Sequence, residues 1–287
     1  MVQRKYTFAD SKSLTLGEKT LVMGILNITP DSFSDGGKFN TRDKALRHLE
    51  EMVADGADII DVGAESSRLG FTPMPASEEM ERLMPLLEEI LKNSPVPISV
   101  DTFKAETARA AAKAGAHILN DIWGLQYAAE PGEMAKVAAE CGLPVIVMHN
   151  QNGTEYSGDI INSMQGFFQE SLRIGRAAGM KDEQFIFDPG IGIGFGKTAE
   201  QNVEVLRRQE ELLTVAGQEY PLLLAASRKS FIGKTLNLPV EERMEATGAA
   251  CVVGIMKGAS IVRVHDVKPI VRMCRMTDVI LRSGKNG

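Results

Sequence analysis

Several things are scarce in this chain of 287 residues, and each scarcity excludes something. There are three cysteines, Cys141, Cys251 and Cys274, with neither metal-site spacing nor the even count of a disulfide framework. They read as reduced, mostly buried structural thiols. No run of about 18 apolar residues occurs, so no membrane-spanning helix is expected. Met1 to Asp10 lacks the apolar centre of a secretory signal, and a cytoplasmic location is expected. Positive charge is in deficit: 32 Lys and Arg against 38 Asp and Glu give a formal net charge of −6. That balance argues against a general nucleic-acid binder but allows a basic pocket for a small anion. Trp123 is the one tryptophan and reads as packing rather than as a stacking platform. No linker, low-complexity tract or short-period repeat divides the chain.

What is present is an alternation. Eight short apolar runs recur: Leu21–Asn27, Asp58–Glu65, Pro97–Thr102, His117–Asp121, Pro144–His149, Gln184–Asp188, Pro221–Arg228 and Ile261–Asp266. Between them lie helical patterns over Arg42–Ala54, Ser77–Lys92 with Ser77 as N-cap, Ala105–Ala114, Gly132–Glu140, Ile160–Ala178, Glu200–Leu213, Glu241–Lys257 and Val267–Arg282. Gly115, Gly142 and Gly179 stand where helices should close. This is the pattern of an α/β protein, a single eightfold β/α barrel spanning 1–287. Residues 1–20 would form a β-hairpin, from Tyr6–Ala9 and Ser13–Leu16, covering the barrel bottom. Residues 283–287 would fray. The loops after the first and second runs, ITPDSFSDGGKFNT and SSRLGFTPMPAS, exceed the usual two to six residues and suggest function or mobility.

Such barrels carry chemistry at the C-terminal ends of their strands. Those ends supply Asn27, Asp61 with Glu65, Asp101, Asn120 with Asp121, His149, Asp188, Arg228 with Lys229, and Arg263 with His265. One Asp could be a loop anchor. Several at one mouth suit amino and amide donors, such as the edge of an aminopyrimidinone ring, and Asn120 adds both a donor and an acceptor. Arg263 and His265, two apart on the last run, face one way. They fall in the region where such barrels often bind phosphate. The bland alternative pairs Arg263 with a neighbouring acid such as Asp266. Asn27 offers a neutral oxygen suited to Mg²⁺ held mainly by water and substrate phosphates. His149 reads equally as a hydrogen-bonded wall or a catalyst. Gly190, Gly192, Gly194 and Gly196 alternate without the unit that a dinucleotide fingerprint needs, so they read as a loop whose backbone approaches a ligand.

The segments MGILNITPDSFSDGG from Met23, DVGAESSR from Asp61, SVDTFKA from Ser99, NDIWG from Asn120, DPGIG from Asp188, SRKSFIG from Ser227 and RVHDV from Arg263 together resemble the dihydropteroate synthase family of pterin-binding TIM barrels. The resemblance covers essentially the whole chain. It implies condensation of 6-hydroxymethyl-7,8-dihydropterin diphosphate with p-aminobenzoate in folate synthesis. It implies a pterin held by Asp101, Asn120, Ile122, Met148, Asp188 and Lys229. The diphosphate would be held by Asn27, Arg68, Arg263 and His265, with Mg²⁺ at Asn27. Phe33, Ser67, Phe195, Lys229 and Ser230 would border the aminobenzoate. The catalytic set would be Asp101, Lys229, Arg263, His265 and Asp35, with the first two loops closing over the reacting centre. A homodimer through the late helices, a role as sulfonamide target and small-molecule partners only, with no nucleic acid or membrane, are implied too. Rival readings are a methyltetrahydrofolate-type methyltransferase and a non-catalytic pterin-binding barrel. Three departures stand out. Ser67 and Leu69 replace the usual Thr and Pro, which bears on sulfonamide affinity. Ala64 replaces a usual Gly. DPGIGIGFGKT carries two extra residues, leaving the aromatic wall position between Ile193 and Phe195, with Phe195 favoured.

Overall fold

Runs of β-branched residues and leucine, covered on both faces, form the strands of a parallel sheet. The computed structural model describes residues 2–28, 38–65 and 73–282, without the side chains of 38–41. First comes an antiparallel hairpin, β1 (Arg4–Thr7) with β2 (Ser13–Leu16). Then follow β3 (Leu21–Asn27), α1 (Lys38–Ala54), β4 (Ile59–Gly63), α2 (Ala76–Asn93), β5 (Ile98–Asp101), α3 (Ala105–Ala114), β6 (Ile118–Asp121), α4 (Glu133–Cys141), β7 (Val145–Met148), α5 (Ile160–Ala177), β8 (Phe185–Asp188) and α6 (Ala199–Arg207). A small hairpin, β9 (Thr214–Val215) with β10 (Gln218–Glu219), precedes β11 (Leu223–Leu224), α7 (Ser230–Leu236), α8 (Met244–Met256), β12 (Ile261–Val264) and α9 (Val267–Arg282). Eight strands pair in parallel in the order β11-β12-β3-β4-β5-β6-β7-β8. A parallel bridge from Phe187 to Leu222 brings β8 back to the entry of β11, so the ring closes. The fold is the expected β/α barrel.

Strand alternation divides the core. Met23, Ile59, Ile118, Ile146, Ile186, Leu223 and Ile261 fill the lower interior together with Leu14 and Leu16 of the N-terminal hairpin. The hairpin therefore seals the bottom, with each fully buried Leu or Ile worth about 1.5–3 kcal/mol. Val22, Ile60, Val62, Val100 and Val262 face the other way, into the layer shared with the helices.

Some boundaries move. Pro75, not Ser77, is the N-cap of α2. Its φ of −59° suits the approach to a helix, and the cap shifts by two residues. The helix expected over 200–213 stops at Arg207, because Gln209 turns inward and donates to Gly254 O at 3.0 Å. The helix expected from 241 begins at Met244, after a single tight turn. Only two residues of the seventh apolar run pair as a strand. Ala64 is buried and its φ is not positive, so this alanine strains nothing.

Candidate active site

The C-terminal ends of β4, β5, β6 and β12 meet around one guanidinium. Arg263 Nε donates to Asp61 Oδ2 at 2.6 Å, and Nη2 donates to Asp101 Oδ2 at 2.8 Å. Asn120 Nδ2 donates to the same Asp61 oxygen at 3.1 Å. Nη1 of Arg263 has no partner among the described residues. Two carboxylates thus share one cation in a dry place. Burial pushes Asp101 up to about 7 against the pull of Arg263, and Asp61 adds to the rise. Burial also opposes the charge on Arg263, but Asp61 and Asp101 outweigh it. The alternative pairing with Asp266 is not made. Asp266 takes Arg228 instead, in a bidentate pair of 2.9 and 2.6 Å.

Asp188 closes β8 and is buried, accepting from Gly190 N at 2.7 Å. Burial pushes it up to about 6, against that hydrogen bond and the charge of Lys229. Lys229 follows Arg228, whose φ of +55° is held by its pair with Asp266 and by Thr247 Oγ1 accepting from its N–H. This fixed corner directs Lys229 inward. Its ammonium lies 4.5 Å from the centre of the Phe195 ring. Burial and the charge of Arg263 pull Lys229 down to about 8. Phe195 packs in one cluster with Ile122, Met148 and Phe103, flanked by Trp123 and Tyr127. Ile193 packs elsewhere, against the core between the sheet and α5. Of the four strand-end aspartates, Asp121 does not join the site. It anchors the loop after β6, accepting from Trp123 N at 2.9 Å and Leu125 N at 2.7 Å.

His265 sits just past β12. Ser227 Oγ lies 3.0 Å from its Nδ1 and accepts from its backbone N–H at 3.1 Å. With the ring proton on Nε2, Nδ1 accepts from the serine hydroxyl. Burial and the charges of Arg263 and Arg228 pull His265 down to about 4, so it is neutral at pH 7. Asn27 at the end of β3 and Ser230 at the start of α7 are exposed. Phe33, Asp35, Ser67 and Arg68 lie outside the described residues. Glu65, another strand-end acid, turns away to Lys104 and to Met74 N. His149 is a wall, its Nδ1 2.8 Å from Lys197 Nζ. Burial and the charge of Lys197 hold its pKa well below the usual value.

Sequence reasoning missed Ser227, Phe103, Tyr127 and Lys197, and gave Asp61 no task. Phe103 stands two positions after Asp101, a spacing that offered a weak signal. Lys197 offered none, because the glycines before it drew the reading to the backbone.

A barrel whose mouth combines acids, an amide, two inward cations and a neutral imidazole is a small-molecule enzyme site. Comparison narrows the class. The sequence pattern of the family described as pterin binding enzyme matches residues 23–265. The chain is 50% identical over 276 residues to the dihydropteroate synthase of Clostridium beijerinckii, covering 95% of this chain and 98% of that one. Its structure is similar to that of a Clostridium difficile dihydropteroate synthase crystallised in the presence of pteroic acid. That likeness has a TM-score of 0.88 at 46% identity and covers 93% of this chain and 98% of that one. It is also similar to the Xanthomonas albilineans dihydropteroate synthase with 4-aminobenzoic acid, with a TM-score of 0.87 at 35% identity, covering 95% and 97%. The chain belongs to the pterin binding enzyme family, and within it to the dihydropteroate synthases.

Proposed function

We propose that this enzyme joins 6-hydroxymethyl-7,8-dihydropterin diphosphate to p-aminobenzoate, giving 7,8-dihydropteroate and diphosphate. It is a transferase of folate biosynthesis. One observation carries the site assignment: Arg263 bonds to the acids that suit a pterin edge while keeping Nη1 for an anion. In this reading Asp101 and Asp188 accept from ring N–H groups, Asn120 reads the rim, and Lys229 donates to a ring oxygen. Ile122 and Met148 give apolar contact. Arg263 Nη1 and the Nε2–H of neutral His265 donate to the diphosphate.

The carbon–oxygen bond to the diphosphate breaks first, with the electron pair leaving on oxygen. The methylene cation is delocalised over the pterin and stabilised by nearby carboxylate. The arylamine nitrogen then bonds to the methylene and passes its proton to an oxygen of the departed diphosphate. Phe195, Lys229 and Ser230 border the arylamine. Phe33, Asp35, Ser67 and Arg68 enter this reading from the sequence alone, as the groups that exclude water.

Magnesium fits as an ion carried by the substrate. Among the described residues no three His, Cys, Asp or Glu side chains form a cage. Asn27 offers one exposed oxygen, which is enough for an ion that keeps waters and phosphate oxygens. When bound it would neutralise charge on the diphosphate. Chelation with EDTA is expected to suppress turnover while leaving the melting temperature unchanged, and a lowered melting temperature would point to a structural metal instead. Exposed Val253 and Met256 on α8 and Met276, Val279 and Ile280 on α9 support a homodimer through these helices.

The direct test is chromatographic detection of dihydropteroate from the two substrates and purified protein. Formation that depends on both substrates supports the reading. Tight pterin binding without product would favour a binding-only barrel. Methyl transfer from methyltetrahydrofolate to a corrinoid acceptor would favour the methyltransferase.

A further inference from the structure

Lys197 is wholly buried, yet no carboxylate among the described residues pairs with it, and Asp188 acts on it only through its charge. Its ammonium lies 2.8 Å from His149 Nδ1, 3.1 Å from Phe195 O and 3.2 Å from Gly190 O. Three N–H donors thus meet three acceptors, and the neutral imidazole supplies the third lone pair. A buried ammonium is costly, and burial pulls Lys197 down to about 7. What this arrangement achieves is geometric. Two of the acceptors are carbonyls at opposite ends of the 190–195 loop, so one cation closes the loop on itself.

Both ends of that loop matter to the site. At one end, Gly190 has a φ of +64° and donates to Asp188 Oδ1 at 2.7 Å, fixing that carboxylate. At the other, the ring of Phe195 packs on Ile122 and Met148 and lies under Lys229. Between them Gly192 N donates to Asn202 Oδ1 at 2.6 Å, tying the loop to α6. Tyr156 OH donates to Gly196 O at 2.8 Å, just beyond. Hydrogen bonds from outside hold the middle and the far end, but among the described residues only the Lys197 side chain joins the carbonyls of residues 190 and 195.

We propose that Lys197 is a positioning residue for the aminobenzoate side of the site, holding the 190–195 loop in the shape that sets Phe195 against Lys229. The proposal rests on the assignment of Phe195 to the aminobenzoate wall. Because Lys197 is wholly buried behind the loop, its loss should weaken binding more than chemistry.

The test is Lys197→Met, which keeps the side-chain length and removes the three donors. Wild type is assayed alongside, so inactive wild type would count against the reaction and not against this role. The expected result is a KM for p-aminobenzoate raised about tenfold or more, with kcat changed less than about threefold. Trp123, the one tryptophan, packs in the same cluster as Phe195, and its emission should shift. A lowered melting temperature with unchanged KM and unchanged emission would overturn the proposal, leaving Lys197 a purely stabilising group. A fall in kcat at constant KM would overturn it too. If Lys197→Met lacks a native circular dichroism spectrum, the same readings on Lys197→Gln, which keeps two donors, decide the matter.

Discussion

At Arg263 one guanidinium serves two carboxylates 162 and 202 positions away in sequence. Removing it would leave Asp61 buried and Asp101 half-buried without the cation they share, at a cost of about 3–5 kcal/mol. Arg263→Lys keeps the charge but loses the planar fork, so it separates charge from geometry. His265 makes a second prediction. Its folded pKa of about 4 lies below the ordinary 6.5, so between these values the unfolded chain binds more protons. The contribution of His265 to stability should therefore rise with pH from about 4 to about 6.5 and then level off. The difference in unfolding free energy between wild type and His265→Gln, measured by urea titration across that range, should grow with pH. A flat difference would contradict the depressed pKa. Asp101, Asn120, Asp188 and Arg263 were legible in the sequence because each follows an apolar run and so had to sit at a strand end. Their partners were not. Which acid meets which base depends on strand order around the ring, so Asp266 went to Arg228 and Asp121 went to its own loop.

Elements inherit their limits from a few local residues. The runs Leu21–Asn27, Ala105–Ala114 and Val267–Arg282 read from the sequence with their observed ends, because hydrophobic period and the flanking Gly115 act locally. The seventh strand did not, because the turn at Arg228 is held by Asp266 and Thr247, which are distant in sequence. Thr198 caps α6, accepting from Gln201 N while the Gln201 side chain accepts from Thr198 N. Thr198→Ala should cost about 1 kcal/mol with activity retained, as read by urea denaturation and assay. Gly190→Ala should act on the site instead. A Cβ there would meet His149 O at 2.0 Å, on a backbone with φ of +64°. The loop would have to shift, carrying away the N–H that fixes Asp188. Pterin affinity, measured by calorimetry, should fall by about tenfold or more, in line with a lost charge-assisted hydrogen bond. Unchanged affinity would mean that Asp188 does not hold the pterin.

For the molecule as a whole, the barrel divides its labour between ends. The hairpin and the apolar interior close the bottom, and the polar strand ends open at the top. Exposed apolar residues gather on α8 and α9, on the outer wall. In the homodimer proposed through these helices, Ile280→Lys should shift sedimentation from dimer to monomer, and a wild type that sediments as a monomer would remove that interface. The central claim is that one mouth grips the pterin and releases the diphosphate through Arg263. It is tested most directly by diphosphate release with Mg²⁺ and dihydropterin diphosphate, with and without p-aminobenzoate, on wild type, Arg263→Lys and Arg263→Ala. The account predicts aminobenzoate-dependent turnover that falls by about a hundredfold or more in folded Arg263 variants. Turnover in those variants equal to that of wild type would contradict it.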